Sequence, residues 1–522
     1  VIITIALIDP YYRVNDDIEM NMIASGYLDG SPSEFLVFMN IMIGVVLKWL
    51  YELPVSFDWY PAFMTICLYY SMVLTSLVFV DLAGRNRGLL MYILFYAGVY
   101  FYFLVRQEFT ITSLLMIGIG GYYLFNFGAK EDRVHLRVLG AISIVVGSLL
   151  RLETLVLLIL VFGWRLGARF RWRFPRVLIG NTVAILGIIA MLWSIHVYVY
   201  RNYHGDSSEY IETRAMLVDR PISAAGVNFE KEGISRNDIA MVELLIPFDL
   251  SRLNSQWMEE AHSVVSTTRT GNQLIGYLVN IVLNSKFVIF QLFLIVSFVI
   301  ICTQSSFREL LRAKATTPVL FFVVILVILS VWRKVPDYIV NPVLVLICLT
   351  IIYSVLERAK AERTFDSLWR ARLCAVVFMA VVVTSGVWIG IILDKNSQRQ
   401  LYHSEYLSEI AAANAKILVL GPLGLKYKMH DYPVFSSLRP QSTMKLIVPG
   451  GWPLGAPTIW DALMKINEGD LLKYSLDRSD VLYIGVDTVS IRAYFAEHYS
   501  ENIRFLHIPS DLGLIKYRIQ SN

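Results

Sequence analysis

The chain has 522 residues, 56% hydrophobic and only 17% charged, with a formal net charge of +4 and a mean hydropathy of +0.56. That balance lies beyond what a soluble domain of this length carries and points to a polytopic α-helical membrane protein. The charge is small and dispersed, without a basic stripe interleaved with aromatics, which argues against nucleic acid as a partner. The four cysteines all fall in apolar runs without metal-ligand spacing and read as helix-packing residues.

In chain order, an apolar run at 1–8 is cut by Asp9-Pro10 and is too short for a span of about 20 residues, so it reads as a truncated first helix or one that extends further. The acidic cluster Asn15-Asp16-Asp17-Ile18-Glu19-Met20 follows on what reads as the first loop. Carboxylates beside a bilayer are costly unless a polar cavity receives them, which makes Asp16 and Asp17 candidates for a catalytic base. Because Asp is also a preferred N-cap, the alternative is that these acids cap a short helix running to Gly26, with Glu19 as helix-end decoration. Residues 35–53 are apolar but interrupted by Lys48 and preceded by Pro32, and are expected to lie along the interface.

Hydropathy then predicts spans at 59–80, 88–105, 110–127, 134–150, 152–166, 177–200, 274–302, 317–332, 340–356 and 373–393. With the first run, that gives about eleven transmembrane helices. With 35–53 out of the count, the loops holding Arg85/Arg87, Lys130/Arg133/Arg137, Arg165 to Arg176, Arg308/Arg312/Lys314 and Arg358 to Arg372 all fall on one side, which must be cytoplasmic. The opposite side receives the Asp16-Asp17 segment (9–58), the turns at Arg106-Gln107-Glu108 and Arg151-Leu152-Glu153, and a long loop at 201–273. It also receives Arg333-Lys334 and the C-terminal tail.

From 394 to 522 the composition becomes that of a soluble α/β domain, expected outside the membrane. Strands are predicted at 416–420, 480–485, 503–507 and 514–519, and a helix at 491–499. The glycine-rich stretches around Gly421 and Gly450 match no nucleotide-binding motif and read as turns. Trp257 to His262 reads as a solvated face or an interfacial helix. No histidine has metal-site spacing, and no GxSxG motif offers a serine nucleophile.

Beyond the two aspartates, Glu108 is a second acid candidate or an ion partner for Arg106. Arg106, Arg151, Arg333 and Lys334 are the cations placed to meet a lipid phosphate on the same side.

The paired acids of the first outer segment, the proline and apolar helix after them (Pro32, then 35–53), the short turn with Arg106 and Glu108, and a late basic-aromatic-proline turn (Arg333 to Pro342) together resemble the GT-C glycosyltransferases. The type is that of protein mannosyltransferases, aminoarabinose transferases and arabinofuranosyltransferases. The resemblance implies a transferase that moves one sugar from a polyprenyl-phosphate donor to a glycan, lipid or protein acceptor on the outer face of a membrane. It further implies Asp16 as base, Asp17 as support, inversion at the anomeric carbon, no metal and no cofactor. The Trp-Trp-Asp-Tyr-Gly signature of oligosaccharyltransferases is absent, and Asp-Asp stands where protein mannosyltransferases have Asp-Glu. The absence of any Asn-x-Ser/Thr sequon fits a bacterial inner membrane. The alternatives are an O-antigen polymerase or ligase, a transporter or flippase, or a non-catalytic accessory subunit.

Overall fold

The computed structural model describes residues 10–55, 57–127, 133–156, 175–218, 234–243, 249–264, 271–303, 337–359, 372, 374–392, 394, 415–420, 446–449, 452–499, 503–508 and 516–521. The expected spans at 1–8 and 317–332, most of 152–166, and both Arg333 and Lys334 lie outside the described residues.

The described chain is mostly helical, with a small sheet near its C-terminal end. Among the described residues four helices are long and apolar enough to cross a membrane, at Trp59–Ala83, Arg85–Val105, Arg176–Ala215 and Cys374–Ile392. Shorter apolar helices occupy Phe109–Phe125, Val134–Leu150, Phe287–Ile300 and Ile339–Tyr353. The described residues thus carry four helices of spanning length and four shorter apolar ones, while the expected count of eleven includes segments outside the described residues.

The acidic segment is a helix and not a loop. Helix α1 (Asn15–Ser25) stops at Gly26, whose φ of 75° is the left-handed conformation that only glycine adopts cheaply. The N–H of Gly26 donates to the carbonyl of Ile23, and that of Tyr27 to Met22, which satisfies the last turn. A Cβ at Gly26 would sit 2.4 Å from the carbonyl carbon of Ser31, so the sharp exit needs glycine twice over.

Helix α2 (Ile41–Glu52) is about 18 Å long at 1.5 Å per residue, short of the roughly 30 Å of a bilayer core. It buries Ile41, Ile43, Gly44 and Leu47 and exposes Val45, Val46 and Trp49. Its cap residue Asn40 accepts from the Met42 N–H, while the Asn40 side chain donates to the carbonyl of Leu192 and its backbone N–H to that of Leu149. His196 Nδ1 accepts from the Ile41 N–H, so the histidine anchors this helix.

The bundle continues with α3 (Trp59–Ala83) and α4 (Arg85–Val105), the latter with a π-helical turn at Tyr96–Tyr100. Helices α5 (Phe109–Phe127) and α6 (Val134–Leu150) then form an antiparallel hairpin held at glycine-limited distance. A Cβ on Gly120 would meet the Gly140 carbonyl at 2.6 Å, and one on Gly140 would meet Tyr123 Cβ at 2.7 Å. Ser113 Oγ donates to the Gly147 carbonyl and Ser143 Oγ to that of Met116. Small residues and hydroxyl crosslinks are what bring helices together where lipid supplies no hydrophobic drive. Consequently the start of α5 and the end of α6 are fixed beside each other.

Helix α7 (Arg176–Val218) runs well past the expected 177–200, interrupted at His204, so the beginning of the supposed outer loop at 201–273 is helical. The rest of that segment supplies α8 (Arg236–Glu243) and α9 (Ser255–Val264). Helix α9 turns Met258 and Ala261 fully inward while Glu259 and Glu260 stay exposed, which corrects the expectation of a wholly solvated face. Two long helices, α10 (Gly271–Thr303) and α11 (Asp337–Ala359), pack on each other, α10 also on α4 and α11 on α5, and α12 (Cys374–Ile392) completes the described bundle.

The sheet near the C-terminus has five strands: β3 (Ile417–Leu420), β4 (Leu446–Pro449), β5 (Val481–Ile484), β6 (Ile503–Ile508) and β7 (Lys516–Ser521). Their order is β4-β3-β5-β7-β6, parallel through β4-β3-β5 and antiparallel beyond. Helices α13 (Pro457–Met464), α14 (Leu471–Tyr474) and α15 (Thr488–His498) accompany it. Strand β4 and helix α13 were not foreseen.

The 201–273 segment docks onto this sheet unit. Asp249 Oδ2 accepts from Tyr494 (2.9 Å) and Tyr499 (2.7 Å), and Asp238 pairs with His498 Nε2 at 2.6 Å. The turn Trp452–Gly455 in turn rests on α1 and α7, with Gly455 against Ile211. One hydrophobic core therefore runs from Tyr12 and Ile18 through Tyr210 and Met258 to Leu418 and Phe495.

Gly140→Val should lower the stability of the hairpin by about 1–3 kcal/mol, because a side chain there meets the Tyr123 Cβ and the Gly120 carbonyl oxygen, neither of which can swing aside. Gly187→Ala, where a Cβ meets nothing within 4 Å, should leave it unchanged or slightly raised. Thermal unfolding of both variants in detergent micelles measures the contrast.

Candidate functional site

The segment ahead of α1 and the Arg106 turn meet through a two-residue parallel ladder. Strand β1 (Tyr11–Tyr12) pairs with β2 (Arg106–Gln107), Tyr11 opposite Arg106 and Tyr12 opposite Gln107. The ladder ends with the Arg13 N–H donating to the Gln107 carbonyl at 2.9 Å. Arg13 and Glu108 therefore leave the ladder side by side, and α1 and α5 start next to each other.

The N-terminus of α5 collects two carboxylates. Asp17 Oδ2 accepts from the Phe109 N–H at 3.3 Å. Glu108 Oε1 and Oε2 accept from the N–H groups of Thr110 (3.1 Å) and Ile111 (3.0 Å), the geometry of an N-cap. These are donors that a helix leaves unsatisfied, at the end where its dipole favours negative charge. The capping expected for the aspartates of α1 is thus performed on another helix: Val14, not an acid, precedes α1.

Asp17 is 1% exposed, and its Oδ1 accepts from the Tyr60 hydroxyl at 2.7 Å. Four residues on, Asn21 Oδ1 accepts from the Tyr51 hydroxyl at 2.7 Å, and its Nδ2 donates to the Tyr12 hydroxyl. The Tyr51 hydroxyl also accepts from the Tyr60 N–H. One face of α1 is therefore locked by three tyrosines. Asp16, in the same first turn, is only partly buried, whereas Glu19 is 2% exposed and mid-helix, which corrects its reading as helix-end decoration.

Cations surround the pair. Arg151 extends from the end of α6, where Nη1 donates to Thr110 Oγ1 at 2.7 Å and the guanidinium lies 5.1 Å over the Phe109 ring. Its Nε is 3.5 Å from the exposed Glu153, a contact that solvent leaves weak. Arg106 donates to the Tyr102 hydroxyl at 2.9 Å and lies over the rings of Tyr11 and Tyr102. Arg13 is almost fully buried and, with Arg151, acts electrostatically on Glu108. Gln107 is buried too, its Nε2 donating to Thr65 Oγ1 at 2.8 Å.

Burial drives both acids upward. The Asp17 carboxyl is held well above the ordinary aspartate value, first by desolvation and then by the charge of Glu108, against the lowering effect of Tyr60. Glu108 is raised by desolvation to about 7, opposed by its hydrogen bond with Thr110 and by Arg13 and Arg151. Two buried acids this close cannot both ionise freely, so the pair retains a proton at pH values where isolated carboxylates have lost theirs.

Of the residues expected from sequence, Asp16, Asp17, Arg106, Glu108 and Arg151 meet around the start of α5, while Arg333 and Lys334 lie outside the described residues. Arg13, Tyr60, Gln107 and Thr65 were not foreseen. Arg13 carried a weak signal, as a cation two residues ahead of the acidic run, and the other three carried none.

Comparison with known proteins adds no relative: no family model, no curated protein and no solved structure matches the chain.

The raised acids set a direction for stability. A carboxyl whose folded value exceeds its unfolded value favours the native state below the unfolded value, and the benefit is lost as pH rises toward the folded one. For Glu108 that window runs from 4.5 to about 7. The melting temperature of the wild type should therefore fall across this interval relative to Glu108→Gln, which carries no titrating group there. Thermal melts of the two proteins at matched pH give the difference.

Proposed function

We propose that the chain is an integral-membrane glycosyltransferase of the GT-C type, transferring a single sugar from a polyprenyl-phosphate donor to an acceptor hydroxyl on the outer face of the membrane. The observation that carries the reading is the convergence of two acids and three arginines at the α5 N-terminus. It is assembled from segments that are remote in sequence and lie between apolar helices.

Such a transfer needs a base for the acceptor hydroxyl and positive charge for the departing phosphate. Glu108 spends both oxygens on the backbone of α5 and Asp17 one, its other oxygen taking the Tyr60 hydroxyl, and burial keeps a proton between them, which suits them to positioning. Asp16 is on the same turn, less buried, and is the proposed base. It removes the proton from the acceptor hydroxyl as that oxygen attacks the anomeric carbon. The bond from that carbon to the phosphate oxygen breaks with its electron pair, leaving a lipid phosphate, and the configuration inverts. Arg151 and Arg106 are the proposed partners of that phosphate, with Arg333 and Lys334 as further candidates. The reaction calls on no metal or cofactor, and the sheet unit, the membrane and the lipid-linked donor are its surroundings. A bacterial inner membrane, with the site and residues 394–522 extracytoplasmic, is the proposed location.

Transfer of radiolabelled sugar from a polyprenyl-phosphate donor tests this directly in purified protein. Asp16→Asn should lower turnover by roughly 10²- to 10⁴-fold, the range for removal of a general base. Arg151→Gln should weaken use of the donor. Full activity in both Asp16→Asn and Asp17→Asn sinks the mechanism.

A further inference from the structure

A polar cavity lies between the exit of α1 and the sheet unit, and none of the acid-pair residues lines it. It has a volume of about 550 Å³, within the usual range for small-molecule sites. Asp29, just after the glycine stop of α1, forms one wall, and the N-terminal ends of β3 and β5 with helix α13 form the rest.

The lining is chemically balanced. Lys416, Lys465 and Arg478 face Asp29, Asp461 and Asp480, so the formal charges cancel. Thr458, Asp461 and Ala462 of α13 and Lys465 at its C-cap recur at helical spacing, placing one face of the helix on the cavity. Arg478 is held rigidly: it donates two hydrogen bonds of 2.9 Å to Asp480 and lies 4.2 Å over the ring of Tyr474. Lys416 adds a looser contact of 3.8 Å to the same carboxylate. Small apolar groups, Ile417 and Ile466, complete the walls.

A site that selected an anion would carry excess cations, and one that selected a cation would carry excess acids. This lining does neither. Alternating ammonium donors and carboxylate acceptors, with apolar side chains between them, match a ligand whose hydroxyls both donate and accept and whose C–H faces are apolar. We propose that the cavity binds a neutral oligosaccharide segment. The cavity includes Asp29, three residues past the glycine that ends α1, and the axis of that helix runs about 14 Å between Asp17 and Gly26 at 1.5 Å per residue. An extended glycan acceptor would occupy the cavity with one part while presenting its terminal hydroxyl at Asp16. That identification of the ligand as acceptor rests on the transferase reading, whereas glycan binding itself does not.

The experiment is a glycan array of neutral, anionic and cationic oligosaccharides probed with the full-length protein in detergent micelles. Two variants are compared with wild type: Asp461→Ala/Lys465→Ala, whose side chains are exposed and tolerate truncation, and Ala462→Trp, which fills the space. The expected result is selective binding of neutral glycans, weakened at least tenfold in both variants while their melting temperatures stay near that of wild type. Should Ala462→Trp fail to fold, the double alanine variant decides alone. Preference for charged glycans, absence of binding, or undiminished binding by the double variant overturns the proposal. A wild type that binds neutral glycans yet transfers no sugar would remove the transferase reading and leave the glycan site standing.

Discussion

The first turn of helix α5 is the constraint on which the rest of the candidate site depends. A helix begins with N–H groups that have no partner of their own, and here the first three are taken by carboxylates from two places in the chain. Glu108 is local, immediately ahead of the helix. Asp17 comes from 92 residues upstream, and its arrival ties α1 to the bundle. Removing either acid would leave buried donors without acceptors, which costs more than the lost hydrogen bond alone. The two-residue ladder between Tyr11–Tyr12 and Arg106–Gln107 supplies the register that makes the shared capping possible.

Electrostatics makes this arrangement expensive as well as specific. Two buried carboxyls repel, and desolvation penalises each, so both are pushed toward their protonated forms. The helix dipole, the Tyr60 hydroxyl and the guanidinium groups of Arg13 and Arg151 offset part of the cost. Natural chains retain such local conflicts where they serve a purpose, since an apolar turn would be more stable. The glycine-packed α5–α6 hairpin explains how the conflict is contained: it fixes Arg151 within reach of Thr110 without relying on the weak surface pairing to Glu153.

Much of the bundle was legible in the sequence because long apolar runs have few alternatives. The run at 134–150 coincides with α6, and Gly26 was readable as a helix stop. The strands at 417–420 and 481–484 were visible as short aliphatic runs bounded by polar residues. The ladder of β1 and β2 was not, since two residues carry no periodicity and their pairing is set wholly by tertiary contact. Strand β4 was hidden for a related reason: it ends in Pro449 and runs into glycines, which by themselves read as a turn. The acids were noticed, but their roles were not separable. Which carboxylate caps and which stays only partly buried depends on where α5 begins relative to α1, and no spacing within either segment encodes that.

The division of labour between adjacent aspartates follows from helix geometry. Successive residues on a helix point about 100° apart, so a single turn cannot bury two neighbouring carboxylates against the same partners. Asp17 faces Tyr60 and the α5 N-terminus, in line with Asn21 and its tyrosines, which leaves Asp16 to one side of that locked face and less buried. The locking of Asp17 is therefore what would hold Asp16 in place for its proposed role as base. A base on a fraying first turn would wander, whereas here its neighbour is held by a 2.7 Å hydrogen bond on one oxygen and by a helix terminus on the other. Rigid support of this kind is what a reacting group needs to keep its geometry. It also accounts for placing the pair in the first turn of a helix, where a flexible loop would have solvated both acids and fixed neither.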